Sequence, residues 1–355
     1  LGISVYDPLE PQQLRDCKFS LAFQFPLNVL DRRFETVQLS QGKRYARSIF
    51  LQGLLASKNG LRLDAPVELH NLHKEYHNRS QVMIQSNTMY GVKTMVRSGN
   101  CDLVGYIDCG LNTLMPSIAD VIYAVESYNG DNENLILLLS DIGGIINPDE
   151  EKIAAYCRDN RIVLIEDCAH SFGATLNGKH AGTFGDAGVY SFYATKAIFA
   201  GEGGVVVTND TQIGDLVKGF IIYDRFDQVM EIGINIRPSE LQALFSYSVV
   251  QDYQNIIDEK VSTAKRYIEA CNDLGISFIK QDKNNAKGNY YKFIVTTDTP
   301  VEKSLPSLKT TTSKVYDYYL GVENNIVTNH ACLPIWYNQD SEITDRVLKE
   351  LYQKG

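Results

Sequence analysis

The sequence predicts an α/β fold built on a mostly parallel sheet, followed by a smaller α+β C-terminal domain. Leu135-Ile136-Leu137-Leu138-Leu139 and Ile162-Val163-Leu164-Ile165 are short unbroken apolar runs, the pattern of strands buried on both faces. Between them NPDEEKIAAYCRDN reads as a helix: Ile153, Ala154, Tyr156 and Cys157 share one face, and Asn147 or Asp149 is placed to cap its start. Strands and helices in alternation pack as helices on a parallel sheet.

The character changes from Ser239. SELQALFSYSVVQDYQNIIDEKVSTAKRYIEACNDLG predicts a long helical stretch that bridges two domains. YYKFIVTT and IVTNHACLP predict short strands, and SEITDRVLKELYQ a terminal helix. These elements suit an α+β unit. The boundaries expected are a segment over 1–58, a large domain over 59–250 and a small one over 251–355. No internal repeat or low-complexity segment is visible.

A chain of 355 residues holds two ordinary domains. At 44% hydrophobic and 22% charged it reads as globular. The net charge of -9 argues against a nucleic-acid-coating role and leaves a local basic pocket open. No apolar run approaches the roughly 18 residues of a membrane span. The start LGISVYDPLEP has no signal-peptide pattern and opens on Leu1, so a fragment of something longer is one reading of it. The seven cysteines form no CxxC pair, which predicts free thiols in a reducing cytoplasm.

The chemistry is concentrated in residues 162–210, IVLIEDCAHSFGATLNGKHAGTFGDAGVYSFYATKAIFAGEGGVVVTND. Glu166-Asp167 follows a buried strand, and in open parallel sheets ligands sit at the carboxyl ends of strands. A turn cap is the commoner role for a lone Asp. Lys196 closes SFYATK in apolar surroundings, where desolvation lowers an amine's pKa and makes it a nucleophile; a lone lysine more often snorkels to the surface. Gly201-Glu202-Gly203-Gly204 lets backbone approach a ligand, or simply turns a hairpin. The three together are more specific. Pyridoxal phosphate (PLP) chemistry needs a lysine for the cofactor's aldehyde, a carboxylate for its ring nitrogen, and hydroxyls and N–H groups for its phosphate. Asp167, Ser191 and Lys196 offer these groups.

EDCAHSFGA, GKHAGTFGDAGVYSFYATK and GEGG resemble the hallmark of the DegT-type sugar aminotransferases, a family of fold-type I PLP enzymes. The resemblance implies that Lys196 bonds the cofactor and shuttles protons, and that Asp167 pairs with the ring nitrogen. It places His170 near the phenolic oxygen and Ser191 at the phosphate. A dehydratase branch carries histidine where Lys196 stands, so the lysine favours transamination. Upstream, VELHNLHKEY resembles the helix before the family's first core strand, and VMIQSNT its phosphate loop. Thr88 is implied as a phosphate ligand, with Asn87 in the usual glycine place, a residue tolerant of left-handed backbone. Downstream, GINIRPSELQA resembles a motif whose asparagine, here Asn235, reaches the partner subunit's cofactor phosphate, which implies a homodimer with shared sites. One departure concerns the aromatic residue the family places over the ring: in TLMPS the counterpart is Leu114, which packs but does not stack.

In residues 1–58, SVYDP, FQFPLNVLD and ARSIFLQGLL resemble late strands of an aldo-keto reductase barrel. That family's catalytic set lies earlier in its chain and has no counterpart here, so no reductase activity is expected. His70, His73 and His77 share a helical side; a solvated face is the commoner explanation than zinc. HACLP from His330 reads as structural, and VYDYY as either core or substrate border.

The function expected is transfer of an amino group from glutamate to a keto-deoxysugar nucleotide, in polysaccharide or glycoside precursor biosynthesis, with PLP as cofactor. The alternatives are another PLP reaction on a sugar, such as dehydration, and an inactive or regulatory PLP-binding protein.

Overall fold

The computed structural model describes residues 2–4, 22–26, 43–47, 81–85, 102–110, 113–222, 236–315 and 327–353. The chain divides into two units, residues 1–81, 90–103 and 212–237 in one and residues 82–89, 104–211 and 238–355 in the other. In the first, β1 (Gly2–Ser4), β2 (Ala22–Pro26) and β3 (Lys43–Arg47) pair in parallel, in that order.

The second unit carries the predicted α/β architecture. Its strands begin with β4 (Gln81–Gln85), β5 (Asp102–Ile107), β6 (Leu135–Ser140) and β7 (Val163–Asp167). A small hairpin of β8 (Thr175–Leu176) and β9 (Lys179–His180) precedes β10 (Ala187–Ser191) and β11 (Gly204–Val207). The main sheet has the order β11-β10-β7-β6-β4-β5. Strands β6, β7 and β10 are mutually parallel, and β11 returns antiparallel to β10. Every residue of β6 is buried, as its unbroken apolar run predicts. Strand β7 instead alternates: Leu164 and Glu166 are buried while Val163, Ile165 and Asp167 are partly so.

Two helices cover one face of this sheet, α1 (Ile118–Glu126) and α2 (Glu150–Asp159). Val121 and Val125 of α1 and Ile153, Ala154 and Cys157 of α2 pack with Leu135, Leu137 and Leu139 of β6 and Leu164 of β7. Ser117 and Asp120 form a capping box on α1. On α2 the capping expectation fails in detail. Asp149 holds the cap position, but its carboxylate accepts from the Ile118 N–H at 3.2 Å and from Lys152 at 2.6 Å, so it links the starts of the two helices.

The predicted long helix is two: α3 (Glu240–Gln251) and α4 (Tyr253–Leu274), broken at Asp252. Gly275, at φ 65°, ends α4 in the left-handed conformation glycine permits. Beyond it come β12 (Ser277–Phe278), β13 (Ala286–Lys287), β14 (Phe293–Thr296), β15 (His330–Leu333) and α5 (Ser341–Tyr352). Ala264, Tyr267 and Cys271 of α4, Phe293 and Val295 of β14, Leu333 of β15 and Val347 and Leu351 of α5 form a second core. His330 is buried in β15, consistent with a structural part. Cys109, Cys157, Cys168, Cys271 and Cys332 are free and buried. The His70, His73 and His77 group, Cys17 and Cys101 and most of VYDYY lie outside the described residues.

Candidate active site

Because β6, β7 and β10 run parallel, their carboxyl ends lie along one edge of the sheet. The last residues there are Ser140, Asp167 and Ser191. The register sets Ser140 opposite Asp167 on one side and Val189 opposite it on the other. The Ser140 hydroxyl donates to Asp167 Oδ2 at 3.2 Å and the Ala169 N–H to Oδ1 at 3.1 Å, which fixes the carboxylate's orientation.

Side chains alternate along a strand, so Glu166 points away from Asp167. Its carboxylate accepts from Gly182 N–H at 2.6 Å, Phe184 N–H at 2.7 Å and Gly185 N–H at 2.6 Å. These bonds shape the glycine-rich turn that leads into β10. Gly188 of β10 runs so close to this turn that a Cβ there meets the Gly182 carbonyl oxygen at 2.3 Å.

Lys196 sits in the loop that joins β10 to β11. The loop is tied at its base by Phe192 N–H to Gly203 C=O at 2.9 Å and Ala194 N–H to Gly201 C=O at 2.9 Å. Gly201 and Gly203 hold positive φ of 81° and 131°, which explains glycine at both. The Lys196 amine lies 5.6 Å from the centre of the Tyr291 ring, just before β14. On that ring the His170 imidazole stacks, with centroids 4.4 Å apart. Gly143 N–H donates to His170 Nδ1 at 3.3 Å, which leaves the ring's proton on Nε2. Asn289 connects the two parts: its amide donates to the His170 carbonyl at 2.7 Å and its oxygen accepts from Tyr291 N–H at 2.8 Å.

Burial dominates the electrostatics. It lowers the Lys196 amine below the usual lysine range; Asp167 opposes the shift and Lys292 adds to it. Burial raises Asp167, opposed by the Ala169 N–H, Lys196 and the Ser140 hydroxyl. Burial, with Lys196 and Lys292, pushes His170 well below its ordinary value, so it is neutral. The arrangement therefore offers an amine with enhanced nucleophilicity, a carboxylate steadied by an ammonium, and a neutral imidazole with a defined N–H donor.

Of the residues singled out from sequence, Asp167, His170, Ser191 and Lys196 fall at this edge of one unit. Ser191 Oγ accepts from Tyr193 N–H at 3.3 Å. Leu114, at φ 61°, is buried in an apolar cluster with Met115, Ile142, Ile145, Ile279 and Ile294. Asn87, Thr88 and Asn235 lie outside the described residues. Sequence reasoning passed over Ser140, Tyr291, Lys260 and Lys292. Ser140-Asp141 had a signal, a polar pair closing a buried apolar run just as Glu166-Asp167 does. Among the described residues no group of His, Cys, Asp and Glu is arranged to hold a metal ion.

The fold is that of the fold-type I PLP-dependent transferases. It resembles the crystal structure of the aminotransferase TlmJ of Streptoalloteichus hindustanus with a TM-score of 0.67 at 19% identity, over 79% of this chain and 81% of that one. The chain belongs to the DegT/DnrJ/EryC1/StrS aminotransferase family, whose model matches residues 67–351. GDP-perosamine synthase of Escherichia coli O157:H7 is 33% identical over 131 residues, 36% of each chain. GDP-4-keto-6-deoxy-D-mannose 3-dehydratase of Escherichia coli O55:H7 is 27% identical over 219 residues, 56% of this chain and 55% of that one. The matched stretch thus spans about a third to a little over half of these curated relatives.

Behind Asp167 lies a second group of acids. Asp141 is buried, accepts from the Ser171 hydroxyl at 2.8 Å, and is pushed up to about 8 chiefly by burial, with Glu166 and Asp167 adding to it. A carboxyl whose folded pKa exceeds its unfolded value binds its proton more tightly when folded. Its stabilisation is complete below the ordinary 3.8 and is lost as pH rises through about 8. Asp141→Asn keeps an acceptor for Ser171 and has no proton to lose. Thermal unfolding at pH 5 and pH 9 is expected to show a smaller drop in Tm for the variant than for the wild type; equal drops exclude Asp141 as the source.

Proposed function

We propose that this chain is a PLP-dependent aminotransferase that moves an amino group from glutamate to a keto-deoxysugar nucleotide, in polysaccharide or glycoside precursor biosynthesis. The observation that carries the proposal is the meeting of Lys196, Asp167 and His170 at the carboxyl edge of the sheet, with burial lowering the amine and Asp167 steadying it. PLP, when bound, supplies an aldehyde for an amine and a ring that accepts the charge left when a proton leaves the adjacent carbon.

The residues divide the work. Lys196 would hold the cofactor and would serve as the base that takes and returns a proton beside it. Its lowered pKa keeps more of it in the basic form at neutral pH. Asp167, oriented by Ser140 and Ala169, would keep the ring nitrogen protonated. His170, neutral, would offer Nε2–H to the phenolic oxygen. Ser191, Thr88 and Asn87 would take the phosphate. The lysine at 196 favours transamination over the dehydration named for one relative.

A second copy of the chain is part of the reading, with Asn235 reaching the neighbouring phosphate. Helix α3 has no buried residue; Leu241, Leu244, Phe245 and Tyr247 are 80%, 63%, 48% and 64% exposed. An apolar surface of this kind marks an interaction face. We assign residues 1–58 to a separate segment, 59–250 to the cofactor domain and 251–355 to the small domain. The reading places the protein in the cytoplasm; among the described residues no helix is long and apolar enough to cross a membrane.

Two outcomes are expected. Purified protein with added PLP gains an absorbance band near the visible edge that shifts on adding glutamate, and Lys196→Ala lacks both. A wild type that binds no PLP, or binds it without answering amino donors, overturns the aminotransferase and leaves the regulatory reading. Sedimentation of wild type and Leu244→Asp is expected to give a dimer and a monomer; a monomeric wild type removes the shared-site arrangement.

A further inference from the structure

Three lysine amines converge on the Tyr291 ring: Lys196 at 5.6 Å, Lys260 at 5.9 Å and Lys292 at 5.4 Å from its centre. They come from separate elements, the β10–β11 loop, the middle of α4 and the residue before β14. Only Lys196 has a carboxylate, Asp167, among the groups that shift it. Lys260 is 2% exposed, on the face of α4 that also buries Ile256, Ile257 and Ala264. Among the described residues no carboxylate pairs with it, and burial and Lys292 push its amine down to about 7. The Lys292 amine donates to neutral oxygens, Ser313 Oγ at 3.0 Å, Ser313 C=O at 3.2 Å and Thr312 Oγ1 at 3.4 Å.

A fully buried lysine without a partner is rare, because the desolvation of its charge goes unrepaid. Here Lys260 is such an amine, and the partly buried Lys292 and Lys196 stand beside it, around a neutral histidine and a phenol. One carboxylate does not balance that charge, and an incoming anion does. A phenol ring edged by ammonium groups also presents donors to an oxyanion without supplying a competing acceptor charge.

We propose that Lys260 and Lys292, gathered with Lys196 around Tyr291, form an oxyanion subsite for the anionic group of a substrate. Resting on the aminotransferase reading above, that group is the carboxylate of the amino donor or the diphosphate of the nucleotide sugar. Either source meets the same donors, and the subsite holds the substrate beside the amine that moves its proton.

The test titrates the PLP-loaded protein with glutarate and, separately, with inorganic pyrophosphate, by calorimetry and by the rise in Tm that a bound ligand produces. The variants are Lys260→Met and Lys292→Gln, with exposed Lys265→Met on the same helix as control. Met matches the lysine stem in volume and removes a buried charge, so Lys260→Met is expected to melt no lower than wild type. Each of the two subsite variants is expected to weaken one probe by about tenfold or more, with PLP retention and the control unchanged. Loss of glutarate assigns the subsite to the donor, and loss of pyrophosphate assigns it to the nucleotide. Failure of both probes to bind wild type, or equal affinity in all variants, overturns the subsite. So does loss of PLP from both variants, which makes the anion the cofactor's own phosphate. A wild type that retains no PLP overturns the function instead, and the same titration of the bare protein still decides the subsite.

Discussion

The register of β7 between β6 and β10 is the constraint from which this site is built. Ser140 and Val189 flank Asp167, and Glu166 faces the other way to hold three backbone N–H groups of the turn before β10. Slip by one residue exchanges the two carboxylates. Glu166 then faces the edge without the Ser140 hydroxyl in line, and the shorter Asp167 faces the turn. Leu164, packed with β6 under α1 and α2, opposes that slip because its side chain changes face with it.

Burial near that edge acts in opposite directions on two groups of side chains. Around Tyr291 it collects ammonium groups and lowers their pKa values. Around Asp141, Glu150 and Glu166 it collects carboxyls and raises theirs. Asp167 stands between, close enough to Asp141 to raise it and to Lys196 to raise that too. Glu150 is fully buried, and its Oε1 has no hydrogen-bond partner among the described residues. Burial pushes that carboxyl toward its neutral form. Three amines gathered at the Tyr291 ring against the one carboxylate of Asp167 make an anionic ligand the natural complement of the site.

Features written in contiguous residues were legible in the sequence, and features written by tertiary approach were not. The apolar runs of β6 and β7, the helix of α2 and the lysine loop all announce themselves locally. Asp149 looked like a cap for α2, but its nearest free N–H belongs to Ile118, brought in by packing. The break at Asp252 lacks the glycine or proline that usually marks one, and the following α4 starts without a side-chain cap. Tyr291, Lys260 and Lys292 were invisible as a group because they lie on separate elements and only the folded chain brings them to one ring. Tyr291 is the aromatic residue beside the lysine, whereas the expectation had looked for one near Leu114, which the fold buries among aliphatic side chains.

The central claim is that Lys196, and no other amine, holds the cofactor. Borohydride reduction of the PLP-loaded protein, followed by mass mapping of its peptides, tests this directly. The account predicts a single pyridoxyl adduct on Lys196. Lys260 is the informative competitor, since its amine is also buried and lowered to about 7. An adduct on Lys260, or no adduct on either lysine, contradicts the account.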